Sequence, residues 1–84
     1  MEETDLITSL VPAIQEQLKS KDTPYVKLAY DRIIEFDDID EEEALKMIAL
    51  CLADESNRMF IDKRDFDVER YKELLTALPE LPEA

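Results

Sequence analysis

The chain contains no glycine and no histidine among its 84 residues. Glycine supplies the backbone freedom that a phosphate-cradling loop requires, so the sequence excludes a loop of that kind. Histidine is the commonest metal ligand and a frequent general base, and it is missing as well. Acidic residues, aliphatic residues and helix formers remain, and this combination favours an all-α fold.

The chain is also strongly acidic, with 22 Asp and Glu residues against 10 Lys and Arg residues and a formal net charge of −12. Seven acidic residues lie between Glu35 and Glu43, where only Phe36 and Ile39 interrupt them. This charge would repel nucleic-acid phosphates and an acidic membrane surface. We therefore expect no direct binding to nucleic acid or membrane, and we expect a protein with a basic surface as the favoured partner.

The single cysteine, Cys51, cannot form an internal disulfide. It lies in the apolar run Met47–Ala53, where a free thiol usually behaves as a small core hydrophobe. This run is far shorter than the roughly 20 residues of a membrane span. The first residues are acidic, whereas a signal peptide begins with basic residues. These features predict a cytoplasmic protein.

The first predicted helix carries apolar residues at helical spacing: Leu6, Ile7, Leu10, Val11, Ile14 and Leu18. Pro12 interrupts this pattern, because proline lacks a backbone donor and disfavours helix at the residue before it. We therefore expect the main helix to begin at about Leu10, with Ser9 as its cap and a looser turn before it. Lys19-Ser20-Lys21 ends the segment, with cations favourably placed for the helix dipole.

The second predicted helix begins at Thr23-Pro24. Thr23 can cap the helix, and Pro24 suits the first helical position because its missing N–H is no loss there. We expect the helix to end at Asp37-Asp38, since Asp tolerates the left-handed conformation better than most residues. Its apolar stripe is Tyr25, Val26, Ala29, Ile33 and Phe36.

The third predicted helix has the strongest start signal in the chain. Asp40 is placed to cap it, Glu43 completes a capping-box spacing, and Ile39 is placed to pack onto Ala44. The helix should run to about Arg58–Phe60, giving roughly 20 residues. Its body is apolar nearly all round, which marks it as the central helix of the fold.

The fourth predicted helix begins at Asp67, which is placed to cap it. Phe66, just before the cap, is placed to pack onto Tyr71. Pro79 should end the helix, because proline cannot continue the hydrogen-bond pattern. The apolar stripe of this helix is Val68, Tyr71, Leu74, Leu75 and Leu78.

Together these patterns predict a single all-α domain over residues 1–84, a compact array of about four helices with the third at its centre. We expect residues 1–9 and 80–84 to be loose ends. A regular bundle is not expected, because the first helix is predicted to be short and broken near Pro12.

The acidic block, Glu35 to Glu43, does not match a specific ion site. A calcium loop starting at Asp38 would need glycine at its sixth position and glutamate at its twelfth, where the chain has Glu43 and Ala49. Di-iron bundle sites need histidine, and structural zinc needs more Cys or His ligands than one. An acyl carrier protein carries Asp-Ser-Leu near mid-chain, whereas the only Ser-Leu pair here is Ser9-Leu10. We therefore predict no metal, no cofactor and no enzymatic activity.

Glu55 is the most informative candidate residue. A projection at 100° per residue places it within the apolar arc of the third helix. A carboxylate on a buried stripe needs a charged or hydrogen-bonding partner. Glu55 would then tether neighbouring helices, reach solvent at the edge of the core, or act as a functional carboxylate in a pocket with tyrosines. The candidate partners are Arg32, Arg70, Tyr25, Tyr30 and Tyr71.

Met47 and Leu50 project from the opposite side of the third helix. They would form a contact surface if the other helices left them exposed, and the N-terminal helix or the tail could equally cover them. The candidate interaction surface comprises these two residues and the neighbouring acids: Asp37, Asp38, Asp40, Glu41, Glu42, Met47 and Leu50.

Two functional hypotheses follow from these features. The favoured hypothesis is a small acidic protein-interaction or regulatory module that uses the candidate interaction surface. The alternative is a small-molecule binder with a pocket around Glu55 and the tyrosines. Nucleic-acid mimicry ranks lower, because mimicry needs acids spread over an extended surface. The sequence also leaves room for a homodimer through the third or fourth helix.

Several segments occur in an order that is similar to a known family. They are Asp22-Thr23-Pro24, Asp31-Arg32-Ile33-Ile34, Asp40-Glu41-Glu42-Glu43-Ala44, Met47-Ile48-Ala49, Phe66-Asp67-x-x-Arg70-Tyr71 and Leu78-Pro79. On these segments the stretch from Pro24 to Pro82 resembles a family of short bacterial helical proteins catalogued as a domain of unknown function. The family tends to carry glycine near position 37 and histidine in the third helix, whereas this chain has Asp37 and no histidine. The resemblance implies a helical fold and supplies no activity.

Overall fold

The computed structural model describes residues 3–81, with side chains described from Ile7 onwards. This part of the chain forms four helices, α1 (Glu3–Lys19), α2 (Pro24–Ile33), α3 (Glu41–Asp62) and α4 (Val68–Ala77), and it contains no strand. Helix α3 packs against each of the other three helices. The predicted all-α array with the third helix at its centre is therefore confirmed.

One cluster of buried apolar residues draws on all four helices and on the segments that follow α2 and α4. Cys51 is fully buried in it, as predicted for a core thiol. Burial, helped by the charge of Asp54, raises the pKa of Cys51 to about 12, so this thiol is protonated and unreactive at neutral pH. The buried members of the cluster are Ile14, Val26, Ala29, Ile33, Ile39, Ala44, Ile48, Ala49, Cys51, Tyr71, Leu75 and Leu78.

Helix α1 runs from Glu3 to Lys19 with Pro12 inside it, so the prediction of a helix start at about Leu10 is wrong. The expected looser turn is absent from residues 3–9, which are helical. Packing accounts for the difference, because α1 lies against α3 and α2 and its apolar stripe joins the core. Tertiary contacts of this kind override the local preference of a single proline. Residues 1–2 of the predicted loose end lie outside the described residues.

Helix α2 begins at Pro24 as predicted, but Thr23 does not cap it through its side chain. The Thr23 hydroxyl instead donates to the Gln17 carbonyl oxygen at 2.8 Å, which ties the start of α2 to the end of α1. The helix ends at Ile33, earlier than predicted. Phe36 therefore lies beyond the helix and is 44% exposed, so its assignment to the buried stripe is wrong.

Both predicted aspartate caps are confirmed. The Asp40 carboxylate accepts a hydrogen bond from the Glu43 amide at 2.9 Å, and that of Asp67 accepts one from the Arg70 amide at 3.1 Å. Helix α3 extends to Asp62, slightly past its predicted end. It stops at Lys63, which adopts the left-handed conformation with φ 55° and ψ 48°.

The fourth helix ends at Ala77, just before Pro79. The predicted contact between Phe66 and Tyr71 is confirmed as an edge-to-face ring pair with centroids 5.5 Å apart. Val68 was expected to be buried, but it is exposed in the first turn of the helix. Glu80 and Leu81 follow α4, and residues 82–84 of the predicted loose end lie outside the described part of the chain.

Candidate functional site

Glu55 is the fully buried charged residue of α3, in agreement with its predicted place on the apolar arc. Its Oε1 accepts hydrogen bonds from Arg64 Nη2 at 3.1 Å and Arg70 Nη1 at 2.9 Å. Its Oε2 accepts from Arg64 Nη1 at 2.6 Å and from the Asp67 backbone amide at 2.8 Å. A carboxylate has about four lone-pair positions. Internal donors therefore saturate both oxygens.

The donors to Glu55 come from the segment that connects α3 to α4 and from the first turn of α4. The left-handed turn at Lys63 reverses the chain, and the Arg64 amide donates back to the Met59 carbonyl. Arg70 also donates to Asp54 at 2.6 Å, so one guanidinium joins two acids of α3. The network therefore fixes the start of α4 against the second half of α3.

These contacts keep Glu55 ionised despite its burial. The hydrogen bond from Arg64 is the largest influence on its pKa, and the Asp67 amide and Arg70 act in the same direction. Together they outweigh the cost of desolvation and lower the pKa of Glu55 to about 2. The same pairing raises the pKa values of Arg64 and Arg70. The carboxylate therefore carries its charge throughout the neutral pH range.

The predicted partners of Glu55 are confirmed in part. Arg70 is a partner, whereas Arg32 instead donates to the backbone carbonyls of Leu75, Thr76 and Leu78. Arg64 was not among the candidates. Its distance of nine residues from Glu55 does not match a helical face, and contact depends on the chain reversal at Lys63.

None of the four hydrogen bonds that the Glu55 carboxylate accepts comes from a tyrosine. The hydroxyl of Tyr71 donates to Gln17 Oε1 at 2.8 Å, and its ring lies edge-to-face against that of Tyr25, with centroids 5.9 Å apart. Burial raises the pKa of Tyr71 well above its usual value. Burial and the neighbouring Glu41 raise the pKa of Tyr30. The hydroxyls of Tyr30 and Tyr71 therefore remain protonated at neutral pH and do not serve a reaction at Glu55.

The acids of the candidate interaction surface form an exposed rim, which we call the acidic rim: Asp37, Asp38, Asp40, Glu41 and Glu42. Two of them have local structural roles as well. Asp40 caps α3, and Glu42 pairs with Lys46 at 3.5 Å on the helix surface. Carboxylates at a helix N-terminus interact favourably with its dipole, which explains why this part of the block is tolerated.

Met47 and Leu50 line a half-open groove between the first half of α1 and the first half of α3, which we call the α1–α3 groove. Its volume is about 280 Å³. Both side chains are half-buried, so α1 and the tail cover them in part. The sequence left open whether Met47 and Leu50 are exposed or covered, and the structure gives an intermediate result. The groove is lined by Ile7, Thr8, Glu43, Lys46, Met47, Leu50 and Leu81.

A second half-open groove of about 290 Å³ lies between α2 and α4, and we call it the α2–α4 groove. Sequence reasoning did not identify it, because it combines two faces far apart in the chain. Its two charged lining residues are both cationic, in a chain with a net charge of −12. The lining comprises Tyr25, Leu28, Ala29, Arg32, Lys72, Leu75 and Thr76.

Among the side chains described, those of residues 7–81, no three of Cys, Asp or Glu come together in an arrangement that could hold a metal ion. No helix within residues 3–81 is both long enough and apolar enough to cross a membrane. Comparisons with protein-family models, curated proteins and solved structures found no match to this chain. The resemblance to a family of short bacterial helical proteins therefore stays a prediction.

Proposed function

We propose that this chain is a small, non-enzymatic interaction or regulatory module that binds a basic amphipathic segment of another protein in the α1–α3 groove. The observation that carries this proposal is the position of the groove. Its apolar lining adjoins the acidic start of α3, and Glu43 contributes to the lining itself. An apolar surface bordered by acids complements a segment with apolar side chains on one face and Lys or Arg beside them.

The apolar part of the α1–α3 groove suits side-chain anchors. Met47, Leu50, Ile7 and Leu81 line it, and Leu81 is 48% exposed. Methionine is flexible and polarisable, which suits surfaces that adapt to a partner. Small-molecule pockets usually enclose about 300–1,000 Å³ and bury most of their ligand. A half-open groove of about 280 Å³ is better matched to a few side chains of a protein segment.

The charges around the α1–α3 groove favour a basic partner. Glu43 has the exposed residues Glu41 and Glu42 beside it in the first turn of α3. Lys46 is the cation of the lining, and its pairing with Glu42 partly offsets its charge. Attraction between the acidic rim and a basic segment would speed association and weaken with salt. A cytoplasmic location is part of the proposal, because the one cysteine is a buried free thiol.

The alternative of a small-molecule site at Glu55 receives no support from the described residues. The carboxylate accepts four internal hydrogen bonds and has no free position for a ligand. Neither groove described above is lined by Glu55. The tyrosines that the alternative requires make other contacts. We therefore assign Glu55 the role of a structural tether between α3 and α4.

Affinity capture from a native lysate, eluted in salt steps, tests the proposed function. The bait is the intact chain, compared with a variant carrying Glu41→Lys, Glu42→Lys and Glu43→Lys. We expect a stoichiometric partner that elutes from the unmodified chain at moderate salt and is lost from the triple variant. The basic segment of that partner, made as a synthetic peptide, should then shift the NMR signals of Met47 and Leu50.

A matched control distinguishes a local effect of Glu41, Glu42 and Glu43 from an effect of net charge alone. The substitutions Glu16→Lys, Glu73→Lys and Glu80→Lys change the net charge equally at exposed positions outside the groove lining. This control should retain the partner. Equal loss from both variants, or retention by both, would contradict the assignment of the acidic start of α3 as the recognition surface.

A further inference from the structure

The α2–α4 groove has the opposite charge character to the rest of the molecule. Although acids outnumber bases 22 to 10 in the chain, the charged side chains that line this groove are Arg32 and Lys72. Between these cations the lining is largely apolar, with Ala29 and Leu75 buried and Tyr25 half-buried. A surface of this kind complements an occupant that carries both apolar side chains and carboxylates.

The two cations are held in place by contacts within the protein. Arg32 Nη1 donates to the Leu78 carbonyl at 2.7 Å, and Nη2 donates to the Leu75 and Thr76 carbonyls at 2.8 and 3.2 Å. No carboxylate of residues 7–81 forms an ion pair with Arg32. The Lys72 ammonium lies 5.2 Å from the centroid of the Tyr25 ring and also pairs with the exposed Glu69 at 3.4 Å. Pre-positioned cations lose little conformational entropy when an anion binds.

The groove also leaves apolar surface in water. Leu28 lines it and is 70% exposed, although a large aliphatic side chain normally gains from burial. Ile34 and Phe36 follow directly after α2 and are 37% and 44% exposed. The exposed apolar residues of α2 and of its C-terminal end thus lie on one short stretch of chain.

This stretch carries acids that are available to pair. Glu35, Asp37 and Asp38 are exposed, and none forms an ion pair within the described side chains. They begin three residues after Arg32, in a turn where the Glu35 and Phe36 amides donate to the Arg32 and Ile33 carbonyls. A cationic groove and an acidic, apolar segment therefore adjoin each other at the end of α2.

We propose that the α2–α4 groove is the dimer interface for a second copy of this chain. In this two-fold arrangement, the segment 34–38 of each copy lies in the α2–α4 groove of the other. A two-fold interface uses the same patch on both subunits, so the patch must complement itself. This patch does, because it contains both a cationic apolar groove and an exposed acidic apolar segment. Leu28 lies within the resulting contact.

Charge also determines how the dimer responds to salt. Each copy carries a net charge of −12, so two copies repel each other at long range when ionic strength is low. At about 0.15 M salt the screening length is roughly 8 Å, which removes much of this repulsion and leaves close contacts largely unscreened. We expect association to strengthen from low salt to this range.

Sedimentation equilibrium on the full chain tests the proposal with the protein itself as the probe. At about 0.15 M salt and protein concentrations up to about 1 mM, we expect a monomer–dimer equilibrium. Leu28→Glu should raise the dimer dissociation constant by about tenfold or more, because it places a carboxylate in the buried centre of the contact. Leu28 is exposed in the single chain, so circular dichroism should show an unchanged fold.

Phe60→Glu is the matched control, because Phe60 is 81% exposed near the end of α3 and does not line the α2–α4 groove. It should leave dimerisation unchanged. A monomer at every concentration would overturn the proposal, as would dissociation by Phe60→Glu without dissociation by Leu28→Glu. A folded monomer that captures an acidic segment of another protein through Leu28 would likewise overturn the second copy as the occupant.

A charge exchange tests the pairing across the two-fold axis. Lys72→Glu should weaken the homodimer, and so should the double change Glu35→Lys and Asp37→Lys. Mixing these two variants should restore association as a heterodimer. Failure to restore it, with both variants folded, would contradict the proposed docking of segment 34–38. None of these residues lines the α1–α3 groove, but Asp37 belongs to the acidic rim. The effect of Lys72→Glu, which lies outside both, is therefore the readout that is independent of the proposed partner-binding function.

Discussion

At the scale of single residues, Glu55 shows how this small domain uses a buried charge. Removing an ion from water costs several kcal/mol, and only close, well-directed partners offset that cost. Two guanidinium groups and one backbone amide supply them here, and they come from segments that follow α3. The carboxylate therefore specifies where the connecting segment and α4 must lie.

Replacing Glu55 with glutamine should destabilise the protein by about 2–3 kcal/mol. The neutral amide cannot match two guanidinium groups, although both arginines are partly exposed and can regain some hydration, which keeps the loss below the roughly 3–5 kcal/mol typical of fully buried pairs. Urea unfolding followed by circular dichroism measures the change. Glu73→Gln, at an exposed position in α4, should change stability by less than about 0.5 kcal/mol.

The same carboxylate should make stability depend on acid pH. Its pKa falls from the model-peptide value of 4.5 to about 2 on folding, so its contribution is complete above pH 4.5 and is lost as the pH falls towards 2. The shift corresponds to about 3 kcal/mol. The stability difference between the unmodified protein and Glu55→Gln should shrink across this window. A difference that stays constant from pH 6 to pH 2.5 would contradict the assigned pKa.

Lys63 occupies a backbone conformation that normally belongs to glycine. Its φ of 55° and ψ of 48° end α3 in a chain that has no glycine to offer. The left-handed region costs a non-glycine residue about 1–2 kcal/mol. Lys63→Gly should therefore stabilise the protein by about 0.5–1 kcal/mol after the greater flexibility of glycine in the unfolded chain is included.

Chemical denaturation of Lys63→Gly and Lys63→Ala distinguishes this backbone effect from the loss of a charge. Alanine removes the ammonium group but keeps the steric cost, so it should give no comparable gain. Equal stabilisation by both substitutions would show that the conformation at Lys63 is not the cause.

These residues also show what the sequence could reveal. Helical spacing was sufficient to predict the burial of Glu55, and Arg70 was one of its five candidate partners. Arg64 was missed because its approach depends on the left-handed turn at Lys63, and no glycine marks that turn in the sequence. The predicted cap at Thr23 failed for a similar reason, since its hydroxyl donates to the Gln17 carbonyl in a contact between helices and makes no capping hydrogen bond.

At the scale of elements, α1 shows that tertiary packing can outweigh the local preference of proline against helix. Proline in a helix interior removes one hydrogen bond and costs about 3 kcal/mol. Helix α1 nevertheless continues through Pro12, with Ile14 buried and Leu10 and Leu18 packed against the core. The apolar spacing of this helix was visible in the sequence, but the burial that outweighs the proline was not.

Pro12→Ala should stabilise the protein by about 1–2 kcal/mol, because it restores a helical hydrogen bond at an exposed position and loses only the rigidity of proline in the unfolded chain. Thermal unfolding monitored by circular dichroism provides the measurement. Were α1 to begin at Leu10 instead, Pro12 would lie in a first turn, where proline is favourable, and the substitution would give no gain.

Helix α4 depends on a cation supplied by α2. Arg32 donates to the Leu75, Thr76 and Leu78 carbonyls at the C-terminal end of α4, where the Leu75 carbonyl also accepts from the Leu78 amide. Arg32→Lys keeps the charge but cannot reproduce this forked geometry. We expect a loss of about 1 kcal/mol, with faster amide hydrogen exchange in α4 than in α1.

Lys27→Ala is the control for Arg32→Lys, since Lys27 lies on the same helix and its partner is the exposed Asp31. It should cost less than about 0.5 kcal/mol and leave exchange in α4 unchanged. Uniform acceleration of exchange across all four helices by Arg32→Lys would contradict a local role for Arg32.

At the scale of the whole molecule, the two grooves divide the surface by charge. The α1–α3 groove adjoins the acidic start of α3, and the α2–α4 groove carries Arg32 and Lys72. Composition predicted the acidic character, and the helical spacing predicted four helices with the third at their centre. Neither could predict the grooves, because each forms where the faces of two separate helices meet. The sequence did select Met47 and Leu50, which now line one of them.

Site-specific photo-crosslinking in a native lysate tests the central claim most directly. A benzoylphenylalanine in place of the exposed Thr8 would report on the α1–α3 groove, and the same residue in place of Phe60 would serve as a control outside it. We expect a crosslinked protein from position 8 that disappears when salt is raised or when Glu43 is changed to lysine. Crosslinks from position 60 alone, or from position 8 with no dependence on Glu43, would contradict a basic partner in the α1–α3 groove.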